Sequence, residues 1–274
     1  MSKIEDALNK ARADGSNLSQ ARHDIKTLEN PLVAGVLKNA VKKTSSSLIK
    51  LMKQDAEISD EELINKGIIL PDTSRSKVTD SFRHLRTQLL QKSKNENFIV
   101  LVTSVAEGSD SSFVSMNMGA AFSFEESKTS LVIDCDIKSH KLEDMLGLEY
   151  EYGLLDFLES DIDTSEILKD VGIKRLRIIP SGQKKNIENE FFTTEKMKRL
   201  LDDLVDRYND RYVVLNAPSI MTSADTNILI ELVDYVVVVV PYGRVTNSDL
   251  EMALRKIDKE KLIGVVLNDV PGWS

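Results

Sequence analysis

Residues 98–113 read Phe-Ile-Val-Leu-Val-Thr-Ser-Val-Ala-Glu-Gly-Ser-Asp-Ser-Ser-Phe. The first five, Phe98 to Val102, are a short apolar run rich in β-branched residues, the pattern of a buried strand. A small-residue loop containing Gly108 follows, then Ser111, Ser112 and a helix-like segment from Phe113 to Phe124. Strand, small-residue loop and helix in that order form a phosphate-binding loop, where backbone N–H groups and a helix N-terminus face an anion. Gly108, Ser109, Asp110, Ser111 and Ser112 are therefore the candidate nucleotide-binding loop. In Gly-x-x-x-x-Gly-Lys-Ser/Thr the lysine supplies the cation that reaches the outer phosphates. Aligned on Ser112, this chain has Ser111 at the lysine position and Asp110 at that of the second glycine. A carboxylate there would face a polyphosphate.

Outward from this loop, apolar runs alternate with helical patterns. Ser130-Leu-Val-Ile-Asp-Cys-Asp136 reads as a second strand. Asp134 and Asp136 are two apart, so both should leave one face of that strand at its carboxyl end, where open α/β sheets bind ligands. Paired carboxylates facing a phosphate loop suit Mg²⁺ or its bound waters. Further strands are expected at 176–180, 212–216, 234–240 and 262–267. Helices are expected at 142–148, 153–158, 195–208, 225–231 and 246–257, with Thr194 as an N-cap. Tyr212-Val-Val-Leu-Asn216 ends where a P-loop ATPase carries the aspartate that holds the metal's water shell. Here the residue is Asn216, an uncharged amide of similar shape. Near-continuous Val, Ile and Leu in the strands, with helices between, mean a parallel sheet covered on both faces.

Residues 77–94 are expected to be a helix with Phe82, Leu85, Leu89 and Leu90 as its apolar stripe. Asp80, Arg83 and Arg86 recur every three residues and occupy about a third of the circumference. That face could meet a symmetric copy in charge-assisted pairs, or simply be solvated. Residues 1–75 read as an extension with helical patches. Ile4, Ala7, Leu8 and Ala11 share one helical face, and Leu48, Leu51 and Met52 suit docking. Residues 76–274 form the expected domain.

The net charge of −8 argues against general nucleic-acid binding, which needs a basic footprint. A single cysteine, Cys135, excludes an intrachain disulfide and sits in an apolar run as a core thiol. The longest apolar run, from Tyr235, is too short to cross a bilayer, so a cytoplasmic location is expected.

Taken in order, these motifs resemble the bacterial tyrosine kinases (BY-kinases) of capsule and exopolysaccharide systems, relatives of the MinD/ParA P-loop ATPases. The resemblance covers roughly residues 77 to 268. Asp80-Ser-Phe-Arg-His-Leu-Arg-Thr is similar to that family's Glu-x-x-Arg-x-x-Arg oligomerisation helix, with Asp for Glu. Val102-Thr-Ser104 and Asn117 match the surroundings of its Walker A loop, and Leu131-Val-Ile-Asp-Cys-Asp-Ile137 its Walker A′ segment. Gly153-Leu, Pro180-Ser-Gly182, Ala217-Pro218 and Gly264-Val-Val-Leu-Asn268 follow in the expected order.

The resemblance implies a three-layer α-β-α fold with a mostly parallel central sheet, MinD/ParA-like, behind a partly helical N-terminal extension. It adds Asn216 and Asn268 to the nucleotide-site candidates, Ser112 and Asp134 as a weak metal site, and Asp80, Arg83 and Arg86 as oligomerisation residues. The departures are Ser111 for lysine, Asp110 for glycine, Asn216 for aspartate, and no tyrosine-rich tail after Gly272-Trp-Ser274. Each lost charge-assisted contact costs about 1.5–3 kcal/mol, so nucleotide affinity should fall by roughly two to four decades. The expected function is a non-catalytic pseudokinase, a scaffold in exopolysaccharide biosynthesis or export, without a cofactor. Mg-ATP or Mg-ADP enters only if the degenerate site still binds. Implied partners are the cytoplasmic tail of an inner-membrane polysaccharide co-polymerase and other BY-kinase subunits, which would hold the chain peripherally at that membrane. The alternative is an active tyrosine kinase or ATPase with an atypical loop, using Asp134 and Asp136.

Overall fold

A computed structural model describes residues 58–71, 76–125, 127–183, 190–206 and 211–272. The helical patches expected at Ile4 to Ala11 and around Leu48 to Met52 lie outside the described residues.

The strands are β1 (Phe98–Ser104), β2 (Thr129–Asp134), β3 (Lys169–Asp170), β4 (Leu176–Ile179), β5 (Arg211–Asn216), β6 (Tyr235–Pro241) and β7 (Leu262–Asn268). They form one sheet in the order β3-β4-β2-β5-β1-β6-β7. All pairs are parallel except β3 with β4. Every residue of β1, β2 and β5 is buried, which is why these strands read as unbroken apolar runs rather than alternating ones. The two-residue β3, Lys-Asp, carries no such signal and was not expected.

Helices cover both faces. One layer holds α1 (Asp60–Asn65), α2 (Lys77–Lys92), α3 (Ser111–Ser123) and α4 (Lys141–Leu146). The other holds α5 (Leu154–Glu159), α6 (Thr164–Ile167), α7 (Glu195–Asp206), α8 (Ala224–Glu231) and α9 (Asn247–Leu254). This is the three-layer α-β-α arrangement expected. α7 follows Thr194, whose hydroxyl accepts from Met197 N as the N-cap reading required.

Part of the stretch read as extension packs into the first layer. Ile58, Leu63, Ile68, Ile69 and Leu70 are all buried there. Asn117 of α3 fixes them: its Oδ1 accepts from Ile69 N at 2.8 Å, and its Nδ2 donates to the Gly67 and Phe113 carbonyls.

α3 is the central helix of its layer and is buried nearly all round. It lies so close to β2 that a Cβ on Gly119 would sit 2.4 Å from Cγ2 of Val132. A valine on a buried strand cannot swing aside, so Gly119→Ala should destabilise by about 1–3 kcal/mol through overpacking. Urea unfolding checks this, and an unchanged midpoint would mean that α3 can lift off the sheet.

Candidate functional site

The carboxyl ends of β1, β2 and β5 meet the N-terminus of α3. Asp134 ends β2 and Asn216 ends β5, directly opposite each other in register, while Ser112 and Ser115 lie in the first turns of α3. All four are buried. Asn216 Nδ2 donates to Asp134 Oδ1 at 2.8 Å and to Ser112 Oγ at 3.2 Å. Ser115 Oγ donates to Asn216 Oδ1 at 3.2 Å. One carboxamide thus ties the helix to two strands.

Asp134 is fully buried. Its Oδ1 also accepts from Asp136 N at 2.9 Å, and its Oδ2 faces the buried carboxyl of Glu143 on α4. Neither Asp134 Oδ2 nor Glu143 Oε2 has another donor. A proton between the two carboxyls satisfies both. Burial first, then the Glu143 charge, pushes the Asp134 pKa well above the ordinary carboxylate range. Burial and the neighbouring Glu143 thus favour the protonated form of Asp134.

Glu143 Oε1 in turn accepts from Ser181 N at 2.5 Å and Ser181 Oγ at 2.8 Å. Since the Ser181 hydroxyl proton goes to Glu143, its oxygen accepts from His140 Nδ1 at 2.6 Å. Ser181 is brought there because Leu154 N and Leu155 N, at the start of α5, donate to the Pro180 and Ser181 carbonyls. Gly153 permits that approach; a Cβ on it would lie 2.4 Å from Gly182 N.

The loop itself is turned inward. Ser104 Oγ and Ser109 Oγ both donate to the Ala106 carbonyl, and Ser111 N donates to Ser109 O at 2.9 Å. Ser111 Oγ, at the lysine position, reaches only the Ala217 carbonyl at 3.4 Å. Gly108 is exposed with φ +75°, and Asp110 is exposed and makes no side-chain cap bond to α3. No lysine or arginine lines the cleft beside Asp110. Asn268, the other nucleotide-site candidate, lies apart from the Asn216 network, lining that cleft and donating to Asp269 Oδ1 at 3.2 Å.

One expectation is corrected. Asp136 does not share a strand face with Asp134, because β2 stops at Asp134. The chain folds back there: Asp136 N bonds Asp134, and Asp136 Oδ2 accepts from Ser139 Oγ at 2.5 Å. Glu143, His140 and Ser181 are site residues that the sequence reading missed. Glu143 sits in Lys-Leu-Glu-Asp, which looks like a solvated helix start, and Ser181 looked like turn chemistry alone.

A Mg-nucleotide does not fit these residues. A metal needs bare oxygen lone pairs, but the Asn216 amide hydrogens point at the two oxygens, on Ser112 and Asp134, that would ligate it.

On α2, Asp80 is exposed and Arg83 lies 5.6 Å from the Phe124 ring centre. Arg86 is half-buried, its Nη1 donating to the Ala121 carbonyl at 2.9 Å near the C-terminal end of α3. Part of this face is thus spent inside the domain.

No protein-family model matches the chain. It is 27% identical over 202 residues to the tyrosine-protein kinase CpsD of Streptococcus agalactiae, covering 71% of this chain and 84% of CpsD. It is 27% identical over 194 residues to the tyrosine-protein kinase Wzc of Salmonella typhi, covering 70% of this chain but only 27% of Wzc. The kinase domain of Escherichia coli tyrosine kinase ETK superposes with a TM-score of 0.64 at 20% identity, covering 77% of this chain and 94% of that domain. A chain of the Aquifex aeolicus MinC:MinD cell division complex gives 0.53 at 23% identity, covering 63% of this chain and 68% of that one. The relatives are bacterial tyrosine-protein kinases, and the fold is the one they share with MinD.

The raised pKa of Asp134 makes a pH prediction. The unfolded chain loses this proton above about pH 4, whereas the fold keeps it to higher pH. The group therefore makes stability fall as pH rises from about 4 towards the folded pKa. Asp134→Asn removes the titration and can still donate to Glu143. Its melting temperature should decline less than the native one between about pH 5 and 8. Parallel curves would mean that Asp134 is ionised in the fold.

Proposed function

We propose that this chain is a non-catalytic BY-kinase-like scaffold in exopolysaccharide biosynthesis or export. It works by presenting the shape of a kinase domain to partners, not by transferring phosphate. The observation that carries this is the Asn216 carboxamide, which joins Ser112 to Asp134 where a metal would stand. Two further features support it. Ser111 offers no cation, and Asp110 sets a carboxylate at the mouth of the loop.

The partner class follows from the resemblance: the cytoplasmic tail of an inner-membrane polysaccharide co-polymerase, and kinase-like subunits that assemble through α2. Such a tail would hold the protein at the membrane. No helix among the described residues is long and apolar enough to cross a bilayer itself.

Calorimetry of the native protein with Mg·ATP should give no binding at micromolar nucleotide. Combining Asp110→Gly, Ser111→Lys and Asn216→Asp should bring binding in, with affinity raised by roughly two to four decades. Micromolar binding by the native protein would overturn the scaffold reading in favour of an active enzyme. For assembly, Arg83→Ala should lower the particle mass seen by light scattering with little change in melting temperature. Arg86→Ala should lower both, because it also removes the bond to Ala121 O. An unchanged mass for both variants would refute assembly through this helix.

A further inference from the structure

The two edges of the sheet are built differently. At one end, β3 is two residues long and both are charged, a protected edge. At the other end, β7 runs Leu-Ile-Gly-Val-Val-Leu-Asn with neither charge nor proline, and no described strand pairs with its outer side. A register shift between Val236 and Val237 affects only its beginning. From Gly264 to Asn268 the strand is regular.

The direction of the peptide groups in that stretch follows from one hydrogen bond. Tyr242 N donates to the Asn268 carbonyl at 2.9 Å, so Asn268, and with it Val266 and Gly264, face β6. Peptide groups alternate along a strand, so the N–H and C=O of Val265 and Leu267 face outward. Their side chains are the exposed ones, at 44% and 53%. Lys92 Nζ already reaches the Leu262 carbonyl at 3.3 Å along this flank, and among the described residues no strand covers the rest of it.

Beside this edge runs a groove of about 500 Å³ between β7 and α2. Phe82 and Leu85 of α2 and Phe113 of α3 line it with Val266, the two phenylalanine rings standing edge to face with centres 6.2 Å apart. Asp110 and Asp269 lie at its polar end. Arg244, itself 58% exposed, reaches Asp269 at 3.6 Å, but no lysine or arginine lines the groove. A helix on one side, an open strand edge on the other and an apolar floor form a peptide slot: main-chain bonds to the edge give affinity, and side chains in the slot give specificity.

We propose that this groove receives an extended segment of a partner protein, which adds a strand to β7. The segment places an apolar side chain over Phe82, Leu85 and Phe113, and a lysine or arginine beside Asp110. Among the described residues no strand pairs with the outward peptide groups of Val265 and Leu267, which favours a strand over a helix. Asp110, with no lysine or arginine lining the groove beside it, sets the sign of the charge, Asp269 being shared with Arg244. This surface lies apart from the Asn216 network but shares Asp110 and Asn268 with the candidate nucleotide site, so its test uses a peptide and no nucleotide.

The test uses the full chain and the capped peptide Lys-Val-Lys-Phe-Lys-Val-Lys, followed by fluorescence anisotropy. Binding is expected with Kd on the order of 10–100 µM, weakened but not abolished by salt. Val265→Pro removes an outward N–H without breaking the ladder to β6, so it should fold and weaken binding by about tenfold or more. Leu85→Lys, which fills the slot from α2, should do the same, as should N-methylation of the peptide backbone. Equal binding by Val265→Pro and by the N-methylated peptide would reduce the contact to charge attraction and overturn the proposal. So would absence of binding at about 1 mM peptide. A concentration-dependent dimer of the native chain that Val265→Pro abolishes would assign the edge to a second copy instead.

Discussion

The hydrogen bonds of one carboxamide organise the centre of this molecule. Asn216 Nδ2 donates to Asp134 and Ser112, and Asn216 Oδ1 accepts from Ser115. Through them the ends of β2 and β5 and the N-terminus of α3 are joined. An aspartate at this position would put a second carboxylate beside Asp134 in a fully buried site and would require a cation to stay there. With the amide, Asn216, Ser112, Ser115 and Asp134 Oδ1 satisfy one another. Beside Asp134, Glu143 continues the chain of bonds to Ser181 and His140, so α4 and the loop after β4 are held in the same way. A network in which each hydrogen bond depends on its neighbours fixes one arrangement, and here that arrangement is closed.

The rest of the domain keeps the kinase-like frame around this closed centre. The sheet, the two helical layers and α2 are those expected of a chain whose relatives are bacterial tyrosine-protein kinases. What differs is charge. Set against the phosphate-loop pattern, Ser111 stands at the lysine position and Asp110 at that of a glycine, and Asn216 ends β5 without a charge. Ser111 and Asn216 are buried within that frame, and Asp110 is exposed at its edge. α2 also serves the frame itself: Arg86 anchors on the end of α3, and Phe82 and Leu89 are buried against the layer.

Most of the fold was legible because the central strands are buried on both faces. Phe98 to Val102 and Tyr235 to Val240 had no other use for so much Val, Ile and Leu. The short antiparallel β3 was not, since two charged residues at an edge leave no periodic signal. The departures in the phosphate loop were legible as single letters. Their consequence was less so: nothing in the sequence says that Asn216 would bond both Ser112 and Asp134. Asp136 was misplaced by assuming that the strand continued to the second carboxylate, when the chain turns to bond back on the first. Glu143 and Ser181 stayed hidden because their roles come from a contact across 38 residues of sequence, through Gly153 and the start of α5. Residues 58–71 read as part of an extension because the groups they bond, on Asn117, lie nearly fifty residues further on.

The central claim is that an amide occupies the electrostatic role of a metal and closes the site. It is tested most directly by a crystal structure of the native protein soaked with magnesium and a non-hydrolysable ATP analogue. The account predicts that Asn216 stays bonded to Ser112 and Asp134, with neither metal nor triphosphate beside Ser111. Magnesium lodged between Ser112 and an ionised Asp134, with the Asn216 side chain turned away, would contradict it.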